Sequence, residues 1–437
     1  MISFRNKPLD KSLSYKSSTP RNEHLFLYSI HMFLPPKSFL IFYILYYKME
    51  QKKIQLYPFI EDLHTIHKTL VTNPPNGYKF VGTRTSKLYN LRKKISGSKA
   101  IRMIYHKFLR VFKTTRLIEA TQKSEVLDDV EVIFSQGLLP NSTKPWVLYM
   151  FDHPACLAGN SYELFLKNKQ RIAKVLLSPE CKKIICTNQA HIPFLKKHFS
   201  KKITDKVEIV ELAVKPENVN KVYNKKKIRI LFMGSINIPQ DFFIKGGLEV
   251  IKVFKKLSKR KDVDLIIRCH LPESIKKELE GTSNLKVIDK KIPYRDIVEL
   301  YKTTDILFMP GHNYSVSSFL EAMSYGIPIV ALDTYAVGDF VENGTTGLVI
   351  KRSEKIKGYN NPGYPTFIRK DEFMKEVLNL DDPSLIDRLT RALENLIKNP
   401  SKIKKMGLNA RKKFEKNHTI KERNMKLKKI FDDIIQA

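Results

Sequence analysis

The sequence predicts an α/β fold: two doubly wound parallel-sheet domains facing each other across a cleft, followed by a C-terminal helical tail. Three observations carry this expectation. The chain has 437 residues, more than a single hydrophobic core usually serves. From about residue 130, short apolar runs ending in polar or small residues alternate with helix-length stretches, the pattern of buried parallel strands joined by crossover helices. The alternation halts in KPENVNKVYNKKK (215–227), a polar and basic linker, and then restarts.

In the first cycle, VEVIFSQG (130–137) and PWVLYMF (145–151) read as strands. A helix over SYELFLKNKQRIAKVLL, a strand at KKIICTN (182–188), a helix near AHIPFLKKHF and a strand at VEIVELAV (207–214) complete one parallel α/β half. The second cycle runs through strand IRILFMG (228–234), helix GLEVIKVFKKLSKR, strand DLIIRC (264–269), a helix over PESIKKELE, strand LKVID and helix YRDIVELYKT. Strand DILFMP (305–310), a helix from near Ser315, strand IPIVALD (327–333) and TTGLVI (345–350) follow. Each helix is long enough to cross back over its sheet, so right-handed connections are expected. KRSEKIKGYNNPGYPTFIRK reads as a surface loop, and Asp371 to Ala437 as helices broken at DDPS (381–384) and NPS (399–401).

A hydrophobic content of 42% with 10% aromatics is that of a globular protein. The formal net charge of +34 fits an anionic partner, but the excess is mostly Lys spread along the whole chain, which equally describes solvated helix faces. No zinc-finger spacing or nucleic-acid module accompanies it, so nucleic acid is not an expected partner. Cys156, Cys181, Cys186 and Cys269 form no CxxC pair and read as reduced, buried thiols. The apolar segment LFLYSIHMFLPPKSFLIFYILYY (25–47) is divided by Pro35-Pro36-Lys37 into halves too short to span a bilayer as helices. It reads either as part of an extension (residues 1–48) upstream of Met49 and outside the fold, or as a membrane-associating hairpin.

The stretch HNYSVSSFLEAMSYGIPIVALDT (312–334) is the most informative. Ser315, Ser317 and Ser318 crowd the first turn of its helix, where free backbone N–H groups and the positive dipole end suit a phosphate. Glu321 follows one to two turns later among Phe319, Leu320, Ala322 and Met323; a carboxylate there can accept two hydrogen bonds from adjacent ribose hydroxyls. A salt bridge to a nearby lysine is the competing reading of Glu321. Upstream, Gly234 ends a strand and Lys245-Gly246-Gly247 opens the next helix, a lysine with close-approach glycines that suits phosphate.

With FMG and KGG in the first half of this region, DILFMPGHNYSVSSFLEAMSYGIPIVALDTYAVGDFVENGTTGLVI after it and MGLNARKKFEKNHTIKERNMKLKKIFDDII at the tail, residues 228–437 closely resemble the group 1 (family 4) glycosyltransferases of GT-B fold. The N-terminal half resembles them more loosely, through KPWVLYMFDHP and KKIICTN. The resemblance implies two Rossmann-like domains: 49–220 on the acceptor side and 221–400 holding a nucleotide sugar, with helices 401–437 crossing back to the N-terminal domain. It also implies retaining transfer of a sugar from that donor to a glycan, lipid-linked or other cell-envelope acceptor. Glu321 would be the ribose ligand, the second glutamate of the family's E-x7-E pattern, and Lys245 would counter charge on the leaving diphosphate. Ser315, Val316, Ser317 and Ser318 would hold phosphate or sugar hydroxyls, and Arg268, with Cys269 and His270, falls at the nucleobase pocket.

Two positions depart from the family. Asn313 stands where its first glutamate usually does, and Ser235 replaces the arginine that often follows the strand-ending glycine. Both fit a divergent donor site or a non-catalytic nucleotide-sugar or acceptor binder. In the N-terminal half, Asp152 and His153 at the end of strand PWVLYMF are the catalytic candidates, expected to face the cleft; a capping aspartate and a backbone-paired histidine are the alternative. Thr83, Arg84 and Thr85 are candidates for an acceptor loop. No cofactor and no metal is expected. A cytoplasmic location, peripheral on an anionic membrane face, is the expectation from the basic surface.

Overall fold

A computed structural model of the chain describes residues 51–58, 63, 65–83, 125–151, 153–159, 161–216, 221, 223, 226–236, 241–313, 315–359 and 370–436. The extension 1–48 with its apolar segment, Arg84, Thr85 and Asp152 lie outside the described residues. Lys52–Ala437 is one compact unit.

The first sheet has six parallel strands: β1 (Lys52–Tyr57), β2 (Tyr78–Val81), β3 (Val132–Gln136), β4 (Trp146–Met150), β5 (Cys181–Cys186) and β6 (Val207–Ile209), in the order β2-β1-β3-β4-β5-β6. Helices α1 (Thr65–Thr72), α2 (Tyr162–Leu176), α3 (His191–His198) and α4 (Lys201–Thr204) accompany it. The continuous apolar run of β4 is buried at every position, as a strand covered on both faces must be. β1, KKIQLY, is masked in the sequence by its two lysines and by Gln55. Gln55 is nonetheless wholly buried, and its amide is satisfied at both ends, donating to the Glu125 carbonyl at 2.6 Å and accepting from Leu127 N at 3.0 Å.

The second sheet, also six parallel strands, comprises β7 (Ile228–Met233), β8 (Val263–Arg268), β9 (Leu285–Ile288), β10 (Ile306–Met309), β11 (Ile329–Leu332) and β12 (Gly347–Ile350) in the order β12-β11-β10-β7-β8-β9. Between them run α5 (Asp241–Ile244), α6 (Gly247–Leu257), α7 (Glu273–Leu279), α8 (Tyr294–Thr303), α9 (Val316–Ser324) and α10 (Val337–Phe340). Strand order reverses between β7 and β10, so loops leaving their carboxyl ends diverge and open a crevice. In the first sheet the corresponding reversal lies between β1 and β3.

Four helices finish the chain: α11 (Lys370–Leu378), α12 (Pro383–Ile397), α13 (Pro400–Asn417) and α14 (Ile420–Gln436). The DDPS break is a helix start, with the Asp382 carboxylate accepting from Leu385 N at 3.0 Å and Pro383 at the first helical position. The last helix packs on the first domain. Its Phe431 ring lies 5.2 Å from Tyr78 and 6.2 Å from Phe134, the Tyr78 hydroxyl donates to Asp432, and buried Arg423 donates to the Thr69 and Asn73 carbonyls.

Contacts also join the carboxyl ends of the two sheets. The Asp339 carboxylate of α10 accepts from Ala190 N, at the start of α3, at 3.1 Å, and the Tyr335 ring beyond β11 meets His153 beyond β4. The two sheets therefore face each other with their carboxyl ends, where ligands of such sheets bind.

Candidate functional site

Lys245 follows α5 and precedes Gly246, whose φ of 82° is left-handed. A Cβ on Gly246 would stand 2.1 Å from the Pro310 carbonyl oxygen, so this residue must be glycine for its backbone angle and for the close approach alike. The KGG turn is thereby pressed against the loop leaving β10. A Cβ on Gly311 would in turn fall 2.6 Å from the Asn313 carbonyl and 3.4 Å from that of Lys245. Lys245 and Asn313 thus lie on two loops in van der Waals contact, at the crevice between β7 and β10.

Helix α9 begins beside them. Its N-cap residue Ser315 makes no side-chain capping bond, and its buried hydroxyl has no hydrogen-bond partner among the described residues. Val316, Ser317 and Ser318 form the first turn and are partly exposed, so the uncapped amides there can meet an anion. Phe319, Leu320, Ala322 and Met323 point into the core, and Glu321 is half-buried. Under Glu321 lies Tyr301 of α8, wholly buried, its phenol held well above the ordinary value by burial and then by the Glu321 carboxylate, with Ser318 and Arg268 opposing. The Tyr301 ring stacks on Tyr325 at 5.3 Å and 14°. These two tyrosines were not anticipated: in YRDIVELYKT and AMSYG each looks like ordinary core.

Gly234 and Ser235 end β7, and Arg268 ends the neighbouring β8, where its guanidinium donates to the Gly234 carbonyl at 3.2 Å. His270 N donates to the Ser235 carbonyl at 2.9 Å. A Cβ on Gly234 would collide with the Cys269 sulfur at 2.2 Å, so buried Cys269 is the floor of this turn. Burial pushes its thiol up to about 12 against the pull of Arg268 and Lys245, both near enough to act on it. Gly234, Ser235, Lys245, Arg268, Asn313, Ser315, Val316, Ser317, Ser318 and Glu321 are accordingly gathered at the carboxyl edge of β7, β8 and β10 and the first turns of α9.

Across the cleft, His153 takes the backbone-paired setting of the two that its sequence left open. Its ring is wholly buried, with Nδ1 accepting from Ala155 N at 3.1 Å and its face and edges against Phe194 (4.4 Å) and Tyr335 (5.1 Å). The cause is local: His153 caps the short 3-10 turn Pro154–Ala158, which draws the imidazole inward. Burial, then the neighbouring His191 and His198, lower its pKa to about 3, so it is neutral. The residue before Asp152 is the exposed one: Phe151, 41% accessible, edges onto buried His67 at 4.5 Å. Thr83 follows β2 and is partly exposed.

Residues 214–361 match the profile of a family described as Glycosyl transferases group 1. Among solved structures, the chain is similar to a glycosyltransferase from Rickettsia africae, at 11% identity and a TM-score of 0.53 over 89% of this chain and 99% of that one. It is similar to Anabaena HepE in complex with UDP, at 12% identity and 0.54 over 87% and 100%. It is also similar to sucrose-phosphate synthase from Thermosynechococcus elongatus, at 10% identity and 0.51 over 83% and 84%. These likenesses establish the two-sheet fold as GT-B. No curated protein matches the chain in sequence.

Proposed function

We propose, from the premise that residues 214–361 are a glycosyl transferases group 1 domain, that this enzyme moves a sugar, with retention, from a nucleotide-sugar donor to a glycan or lipid-linked acceptor. The observation that carries it is the crevice between β7 and β10, where a lysine, an uncapped helix start and a half-buried carboxylate converge. Lys245 and the first turn of α9 meet the diphosphate and offset the charge it gains as the bond to the sugar breaks. Glu321 accepts from the ribose hydroxyls, with Tyr301 as its support, and Arg268 with Gly234 borders the base. Asn313 supplies an amide to the sugar where the family has a carboxylate. No metal is needed in this scheme, since Lys245 and the helix dipole supply the positive potential.

UDP in the HepE complex makes a uridine donor the first to try. The acceptor is placed on the first domain, with exposed Phe151 as a platform for a sugar ring and neutral His153 behind it. A basic face carrying Lys169 and Lys197 beside His198, with the exposed Leu166, suits an acceptor presented at an anionic lipid surface. Among the described residues no helix is long and apolar enough to cross a membrane.

Asn313 favours a second reading, a GT-B protein that binds donor or acceptor without turnover. Titration of the full chain with uridine, guanosine and adenosine diphosphate sugars, followed by product analysis, separates the two. Binding of one donor, weakened about tenfold (~1.4 kcal/mol) by Glu321→Ala, is the expected result. Absence of any binding would sink the first reading and the donor-binding form of the second, and binding without turnover would leave only the second.

A further inference from the structure

Beneath the two loops of the crevice lies a buried polar pair that the donor contacts proposed above do not use. Glu249, in the first turn of α6, accepts from or shares a proton with His312, Oε1 to Nε2 at 3.0 Å. Their side chains are 5% and 1% exposed. The other carboxylate oxygen and the other ring nitrogen, Glu249 Oε2 and His312 Nδ1, make no hydrogen bond among the described residues. Burying two such atoms costs stability, and an apolar pair of the same volume would avoid it.

What the pair gains is geometry. Glu249 belongs to the helix that begins with Gly247, two residues after Lys245; His312 adjoins Asn313. His312 is tied on every side: its N–H donates to the Ile244 carbonyl at 2.8 Å, its carbonyl accepts from the Tyr359 hydroxyl at 3.0 Å, and its ring meets Glu249. The Ile244 tie reaches the residue before Lys245 and the ring tie reaches the helix after it. His312 therefore fixes the Lys245 turn from both flanks while its own chain continues into Asn313.

We infer that Glu249 and His312 are a positioning pair that sets Lys245 and Asn313 in register for the donor, Lys245 toward the diphosphate and Asn313 toward the sugar. This rests on the donor-site reading above. Neither residue touches the donor; each acts through the loop it holds.

The test is calorimetric titration of the full chain with UDP, GDP and ADP, in the wild type and in Glu249→Gln, Glu249→Leu, His312→Phe, Lys245→Ala and Lys245→Ala/Glu249→Leu. Glu249→Gln keeps an acceptor opposite the ring and is expected to bind within about threefold of wild type, while Glu249→Leu and His312→Phe lose about tenfold. Because Glu249 acts through Lys245, the double variant should bind no more than about twofold more weakly than Lys245→Ala alone. Thermal unfolding identifies any variant that does not fold; the Gln and Phe substitutions then carry the comparison. Wild-type binding with full additivity in the double variant, or with Glu249→Gln as weak as His312→Phe, overturns the pair's role. Failure of the wild type to bind any of the three diphosphates overturns the donor-site reading itself, and the pair with it.

Discussion

Tyr335 of the second domain stands edge-on to His153 of the first, ring centroids 5.1 Å apart at 65°, and the same tyrosine stacks on His191 at 6.0 Å. One side chain from the donor-side sheet thus roofs two histidines of the facing sheet. Substituting Tyr335→Ala should raise the rate of chemical modification of His153 by diethylpyrocarbonate by about tenfold or more, since the ring that covers it from the facing sheet is then gone. An unchanged rate in the variant would mean that the first domain alone shields the ring.

Two buried histidines make stability depend on pH. His153 and His418 have pKa values lowered by burial from 6.5 to about 3 and about 4. The unfolded chain binds protons below pH 6.5 that the folded chain refuses, so their contribution is complete above that pH and is lost as pH falls toward 4. At pH 5 each is expected to cost roughly 2 kcal/mol relative to pH 7, at about 1.4 kcal/mol per pKa unit. Urea denaturation at the two pH values measures the difference. His418→Gln should remove about half of it, because burial beside the Phe340 ring holds His418 neutral against the opposing pull of the Leu212 carbonyl.

Arg423 is 4% exposed and donates to Thr69 and Asn73, with burial lowering its pKa to about 10. Arg423→Ala should destabilise the protein by about 2 kcal/mol, because the buried fork that ties Thr69, Asn73 and Asn424 together is lost while Asn73 N and Asn424 Nδ2 still serve the two carbonyls. Arg423→Lys should recover little, since an ammonium cannot present the fork that reaches Thr69 and Asn73 together. Equal denaturation midpoints for Arg423→Ala and wild type would refute this.

Lys245→Ala is expected to lower kcat by about a hundredfold or more while the thermal midpoint moves little, because Lys245 is partly exposed and its proposed work is done on the leaving diphosphate. A rise in KM at constant kcat would assign it to ground-state binding instead.

The strand and helix alternation was legible wherever an unbroken apolar run marked the strand, as in all of β4 and β10 and in the IIC, ILFM and LII runs of β5, β7 and β8. β1 was not, because its polar members are satisfied by a segment seventy residues away that periodicity cannot see. β6 is shorter than its apolar run, since Val210, Leu212 and Ala213 are buried by packing outside any ladder. At the site, Lys245, Gly246 and Glu321 were legible through motif spacing. Glu249, Tyr301 and His312 were not, since their importance lies in pairings between elements: His312 with Glu249, and Tyr301 with Glu321. For His153 the sequence left a cleft-facing and a backbone-paired setting open, and the cap it makes on the 3-10 turn Pro154–Ala158 realises the second.

The docking of α14 on the first sheet has a consequence for how the chain is made. Phe431 sits against Tyr78, Phe80 and Phe134, so the first domain lacks part of its own core until the final seventeen-residue helix has emerged. On the ribosome, the amino-terminal half must wait for Phe431 while roughly two hundred further residues are translated, a period of about 20 seconds at about 10 residues per second. A stop codon placed before α14 would leave Tyr78, Phe80 and Phe134 without the Phe431 ring that packs on them.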